Sequence, residues 1–442
     1  MSRRQKSRFA VVSRGGVCAA LLAVSLCAVA KPRASQATPR SSLTVDASGS
    51  ADFKSVQQAI DALPATGGTI RIRPGTYREQ IHVDKAHVSL IGLGKEPNQV
   101  VLTFDLSHHD VGTTWGSAST TVTADDFLAE NLTIQNTFSD EHSEVTVDAQ
   151  AVALRVTGDR DIFRRVRLLA HQDTLYADSK ACHQNAGILM AAGRPAGATT
   201  APIAPNPSSA APSAGAPTRP SATAPPTVAP LPNPGRSTGA ASPPAPSPCQ
   251  ASRQLFTDSY IAGTIDFIFG DAKAAFVRCE IHSRPHQEGT LTAQSRFYPA
   301  EDSAYVFDRC RLTADPGVTN VYLGRPWRPY STVVYLNTEM GAQIQSAGWL
   351  EWSRNGAPSL NTSFYAEYRS TGPGAPQPAI PAAVAPTADH RSTSAQSASV
   401  TTGPGPNGTQ RVPQAKILTP AEARKFAVRN FLRGADNWNP KL

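Results

Sequence analysis

Five short segments of this chain share one alternating pattern, and their spacing limits the fold more than any single motif does. Phe127 to Ile134, Phe163 to Leu168, Phe256 to Ile261, Ala275 to Ile281 and Val306 to Leu312 each alternate apolar with polar side chains. A period of two marks a β-strand with one buried face. Aligned on Asn131, Val166, Ser259, Cys279 and Cys310, the segments recur at steps of 35, 93, 20 and 31 residues. The long step returns to 35 once the 58 residues from 191 to 248 are set aside. Repeats of this length, made of short strands with no helices between them, stack as a solenoid in which each coil buries its face against its neighbours. The expected fold is all-β, a single-stranded parallel β-helix. A β-propeller would need about four strands in each unit of roughly 40 to 45 residues, with its own repeated motif, and the sequence offers none.

The residues set aside have their own logic. Residues 191–248 hold sixteen prolines and neither an aromatic nor an acidic side chain, so they cannot bury enough apolar surface to offset the entropy of ordering. Residues 371–410 are similar in composition. Both are expected to be disordered insertions in one domain spanning 38–442. Residues 1–14 carry Arg3, Arg4, Lys6, Arg8 and Arg14 with no acid, and Val17 to Ala30 are almost wholly apolar. This pattern is expected to be a secretory signal peptide over 1–37, cleaved after Ala30 or Ala37, with an apolar run short for a membrane span. The product is expected to be secreted, outside the cell or in the periplasm, monomeric and free of the membrane.

Charge and cysteines follow from that reading. Residues 1–37 supply seven of the eight formal positive charges, so the remainder is nearly neutral and the high pI gives no reason to expect a nucleic-acid partner. Cys182 and Cys249 flank the first insertion and are expected to pair in an oxidising compartment. Cys279 and Cys310 occupy equivalent strand positions and either pair or stack as buried thiols. No cysteine pair has zinc-site spacing, and His108, His109, His142, His171 and His183 are scattered, so no metal and no cofactor are expected. Short helices are expected to flank the β body. The first is capped by Asp52, with Phe53, Val56, Ile60 and Leu63 on its apolar side, and the last opens with a capping box at Thr419 and Glu422.

The repeat also places chemistry. Asp173 lies seven residues after Val166 and Asp266 seven after Ser259, so the two carboxyl groups should be neighbours on successive coils, where strands lie about 4.8 Å apart. Like charges at that distance cannot both ionise cheaply, so one carboxyl should keep its proton while the other is anionic. Asp266 sits between Ile265 and Phe267 in an apolar run, and a carboxylate there needs a partner.

Four stretches carry a family likeness. Gln150-Ala151-Val152-Ala153-Leu154, Gln172-Asp173-Thr174-Leu175-Tyr176, Gly263-Thr264-Ile265-Asp266-Phe267-Ile268-Phe269-Gly270 and Leu323-Gly324-Arg325-Pro326-Trp327 resemble, in order, the motifs of the pectin methylesterases, or pectinesterases. Gly348-Trp349 and Phe364-Tyr365-Ala366-Glu367-Tyr368 support the match. The resemblance implies a right-handed parallel β-helix of the secreted bacterial type. It also implies a cofactor-free carbohydrate esterase that hydrolyses methyl esters of galacturonate units in pectin, releasing methanol and polygalacturonate. By the same resemblance Asp266 is the nucleophile and Asp173 the acid and base. Gln150 and Gln172 stabilise the oxyanion, Arg325 holds Asp266 charged, and Trp327, Tyr176 and Phe267 contact the sugar.

Three other readings belong beside it. A same-fold esterase or thioesterase on another ester would keep both aspartates. A polysaccharide-binding β-helix without catalysis would not need them. A pectate lyase would need a calcium-binding cluster of acids, and none is evident in the sequence.

Overall fold

The computed structural model describes residues 40–180, 250–352, 359–376 and 410–442. The expected signal peptide, the 191–248 insertion and the Cys182–Cys249 bond lie outside the described residues. From Ser42 onward the strands pair only in parallel, each with the equivalent strand one coil away, as in Phe163 to Phe256 to Phe276 to Phe307 to Tyr335. The fold is a parallel β-helix. One wall is a six-stranded sheet made of Ile81–Val83, Thr120–Val122, Leu154–Val156, Leu175–Ala177, Ile268–Gly270 and Thr292–Gln294. A 17-stranded sheet supplies the other walls.

Parallel register explains the core. Identical positions on successive coils face one another, so the aromatic rings that begin each repeat stack in a column with centroids 4.6, 5.0, 4.5 and 4.6 Å apart. Each such contact adds about 0.5–1.5 kcal/mol beyond the area it buries.

A bend between two walls recurs at Asn131, Arg165, Asp258, Arg278, Arg309, Asn337 and Arg369, all left-handed with φ between 50° and 57°. The residue after the bend points inward. Ser259, Cys279, Cys310 and Thr338 each donate to the carbonyl two residues back and to one on the preceding coil. Cys279 and Cys310 are therefore free, buried thiols in a ladder of small donors, which selects stacking over pairing. The alignment on Asn131 is corrected by one residue: Leu132, not Asn131, lies level with Val166. Asn131 holds the bend itself, where its short polar side chain suits the left-handed region.

Two boundaries differ from expectation. The first helix, Val56–Ala62, is capped by Ser55, whose hydroxyl accepts from the Gln58 N–H. Asp52 instead accepts from the Thr44 N–H and pairs with Arg40. The body also continues past 371: Thr371 bridges Glu339, and the Gly374 N–H donates to Met340 O at 3.0 Å. At the other end Thr419 and Glu422 form the expected capping box, and Val428, Phe431 and Leu432 cover the outer face of a wall at Leu255, Val306 and Val334. Among the described residues no helix is long and apolar enough to cross a membrane.

Candidate active site

Asp173 and Asp266 stand at the entry to adjacent strands of the six-stranded wall. Arg167 pairs with Tyr260 and Leu175 with Ile268, so one offset of 93 residues holds around the coil and sets the two aspartates level. Both backbones are left-handed, with φ of 66° and 50°, a conformation that Asp tolerates better than most side chains. The Asp173 N–H donates to Ile265 O at 3.2 Å, fixing one turn on the next.

The two carboxyl groups have opposite surroundings. Asp266 is 5% exposed. Its Oδ1 accepts from Thr290 Oγ1 at 2.6 Å, and the same hydroxyl accepts from the Asp266 N–H at 2.8 Å. Arg325 approaches as a fork, with Nε 2.9 Å from Oδ1 and 3.1 Å from Oδ2, and Nη2 2.7 Å from Oδ2. The Arg325 backbone N–H is tied to Thr292 O, and its guanidinium lies 4.2 Å over the Trp352 ring. Among the described residues Asp173 has no cation of its own. Desolvation, then the neighbouring Asp266 charge, push its carboxyl well above the ordinary carboxylate range, against a smaller opposing pull from Arg325. The surroundings separate an Asp266 carboxyl held by a guanidinium from an Asp173 carboxyl that binds its proton more tightly than usual.

Both open into a cleft of about 500 Å³ that Gln150, Gln172, Tyr176, Arg325 and Trp327 also line. Neither glutamine amide has a hydrogen-bond partner among the described residues, and Gln150 Oε1 is buried without one. Both amides are free to meet a ligand. Seven of the eight residues expected at the site thus converge, and Phe267 does not. It is wholly buried in the central core, as is Ile268 beside it, because the left-handed turn at Asp266 precedes the strand and the alternation starts only at Ile268. Phe269, two residues on, is the cleft residue, stacked on Tyr176 at 4.3 Å and edge-on to Trp327 at 6.0 Å. The 93-residue offset from Tyr176 would have found it. Trp115 and Trp352 also line the cleft but stand outside the strands, where no periodic signal marks them.

The histidines are less scattered than their spacing suggests. Asp105, Glu141 and His142 bring ligand-type atoms within 4.8 Å of one another. The Arg78 guanidinium already pairs with both carboxylates there, and none of the three lines the cleft.

With this geometry in hand, the family profile described as Pectinesterase matches residues 42–188 and 249–381. "Pectinesterase 2" of Citrus sinensis is 31% identical over 350 residues, covering 77% of this chain and 52% of that protein. The chain spans about half the length of the first curated relatives it matches. Among solved structures, the pectin methylesterase from carrot superposes with a TM-score of 0.59 at 27% identity, covering 89% of this chain and 93% of its own. A pectin methylesterase in complex with hexasaccharide VII superposes with a TM-score of 0.58 at 25% identity, covering 90% and 98%.

Proposed function

The chain belongs to the pectinesterase family, and from that premise we propose that it hydrolyses the methyl esters of galacturonate units in pectin, releasing methanol and leaving polygalacturonate. The observation that carries this reading is the forked Arg325–Asp266 pair in an aromatic cleft, beside Asp173, which has no cation of its own among the described residues and whose carboxyl is raised well above its ordinary range by desolvation and the Asp266 charge.

Each step follows from the surroundings of the two carboxyl groups. Asp266 is the nucleophile: Arg325 and Thr290 orient it, and burial strips it of water. Its oxygen bonds to the ester carbon, and the charge moves to the carbonyl oxygen, where the Gln150 and Gln172 amides donate. Such donors are worth roughly 2.7–4 kcal/mol each in well-built sites. The bond from carbon to the methoxy oxygen breaks as Asp173 gives that oxygen its proton, and methanol leaves. The product is an anhydride between Asp266 and the galacturonate carboxyl. Asp173, now anionic, takes a proton from water, whose oxygen attacks the acyl carbon and frees the Asp266 carboxylate. Both groups return to their starting states.

Tyr176, Phe269 and Trp327 give the sugar rings flat apolar faces, with Trp327 packing against the sugar. Their arrangement suits the polymer chain better than a short acyl ester. The chain acts without a metal or cofactor, as a secreted or periplasmic monomer. Its leader is 1–37 and its domain 38–442, with the Pro-rich insertion 191–248 within that span of sequence.

The test is methanol release from highly methylated pectin. Wild type should release it, and Asp266→Asn, whose amide cannot form the acyl intermediate, should release none above background. Retention of more than about a tenth of the wild-type rate, a loss under roughly 1.4 kcal/mol, would remove Asp266 as nucleophile.

A further inference from the structure

The turn that brings Gln172 and Asp173 into the cleft is gripped on its outer side by residues of two other coils. His171 stands one residue before Gln172, and its Nε2 lies 2.7 Å from Asp140 Oδ1. A carboxylate oxygen only accepts, so Nε2 carries the ring proton. The same Asp140 oxygen accepts from Arg284 Nη2 at 2.7 Å, and Arg284 Nη1 donates to the Ala170 carbonyl at 3.0 Å. Asp140 follows the strand Leu128–Asn136 and Arg284 follows Glu280–Ser283. The guanidinium therefore reaches across the coil of Tyr260–Gly263 to meet both the turn and the carboxylate beyond it.

Both outer members of this clamp are themselves fixed. Asp140 lies on the one-turn helix Phe138–Glu141, pinned by the buried Asn136. Asn136 Oδ1 accepts from the Phe138 N–H, and its Nδ2 donates to the carbonyls of Leu106, Ser117 and Val152. The Arg284 N–H donates to Gly263 O at 2.8 Å. Inside the turn, His171 O accepts from the Thr264 N–H at 3.0 Å, while Gln172 O accepts from the Ala151 N–H at 3.3 Å. The direction of the Gln172 amide thus depends on how firmly its neighbour His171 is held. None of Asp140, His171 and Arg284 lines the cleft.

We propose that Asp140 is a positioning residue for the reaction: together with Arg284 it holds His171, and through His171 it aims the Gln172 amide at the carbonyl oxygen that gains charge. The proposal rests on the pectinesterase reading. An oxyanion donor acts most strongly as the charge develops, so loss of its aim lowers kcat. The aromatic faces of Tyr176, Phe269 and Trp327 lie on other contacts, so KM is little changed. A misplacement of about 1 Å passed on from outside the chemistry can cost up to about a hundred-fold in rate. Asp140 acts through one of two amide donors, which sets its effect at about a tenth of that.

The experiment measures kcat and KM for methanol release, with melting temperature and amide hydrogen exchange recorded for every variant. Asp140→Ala should lower kcat about ten-fold and leave KM within about three-fold of wild type. Asp140→Asn keeps an oxygen that accepts from both Arg284 and His171, so it should recover kcat to within about three-fold. Gln172→Ala should cost about a hundred-fold, and adding Asp140→Ala to it should cost less than about a further two-fold, because the two act through one amide. In Asp140→Ala, exchange should quicken in the peptide covering 169–175. A folded Asp140→Ala with wild-type kcat, a loss confined to KM, or a loss that multiplies in full with that of Gln172→Ala would overturn the proposal. If Asp140→Ala does not fold, His171→Phe, which keeps a ring and removes the Nε2 donor, carries the same expectations. Wild-type protein that releases no methanol refutes the esterase reading instead, and exchange then decides the clamp: unchanged uptake over 169–175 in Asp140→Ala overturns it, and faster uptake confined to that peptide supports it.

Discussion

Replacing Arg325 with Met tests the centre of the site while keeping an unbranched side chain that reaches as far as the Nε position. The change removes three contacts of 2.7–3.1 Å from the Asp266 carboxylate and leaves Thr290 as its side-chain donor. Breaking one side of a buried ion pair costs about 3–5 kcal/mol, because the remaining charge is uncompensated. Two charges about 4 Å apart at an effective dielectric near 20 attract by about 4 kcal/mol, which is the same size. The Arg325 side chain is 23% exposed and that of Asp266 7%, so water recovers part of the loss and about 3 kcal/mol is the better figure. If Asp266 must act as a carboxylate, that loss appears in the transition state as roughly a hundred-fold fall in kcat/KM. Arg325→Lys keeps the charge but replaces the fork with one compact contact, so its activity should lie between Met and wild type. The assay is initial-rate methanol release on methylated pectin, with thermal melts to separate unfolding from lost chemistry. An Arg325→Met protein that melts normally and keeps more than about a tenth of wild-type kcat/KM would refute the assignment of Arg325 as the partner that activates Asp266.

Three further outcomes follow from the same geometry. The Asp173 carboxyl is raised well above its ordinary value of 3.8, so its protonated form favours the fold. That contribution is whole below pH 3.8 and is lost as pH rises through the raised folded value. Asp173→Asn should therefore melt higher than wild type at neutral pH, with a flatter pH dependence, while keeping only a trace of turnover; an unchanged melting profile would contradict the assigned environment. Excess EDTA should leave methanol release intact, because Arg78 already neutralises the acids of the Asp105, Glu141 and His142 cluster; activity lost to the chelator and restored by calcium would overturn that. Non-reducing peptide mapping should find Cys182 joined to Cys249 and recover Cys279 and Cys310 as thiols after unfolding, and any other pairing would refute the expected tether.

What the sequence revealed, and what it hid, depends on which interactions leave a period behind. Parallel stacking turns a constant sequence offset into contact in space, so the 93-residue offset was enough to bring Asp173 beside Asp266 before any coordinate was known. Motif matching was weaker where it ignored the coil offset: Phe267 adjoins the nucleophile in sequence but faces the core, while Phe269, 93 residues after Tyr176, faces the cleft. Composition was weakest at 371, where Thr-Gly-Pro-Gly looks like the same four residues at 402. Backbone bonds from Thr371 and Gly374 to the Thr338–Met340 segment, which no composition records, hold the first copy in the body. Ser55 and Trp352 were hidden for a similar reason, since a cap and a loop aromatic are fixed by single contacts. The same offset reaches past the cleft, because in a solenoid it holds for every residue of a coil. Asp178 stands twelve residues after Val166 and Asp271 twelve after Ser259, and both are buried, so repeat position alone marked a second pair of acids on the two coils that carry Asp173 and Asp266.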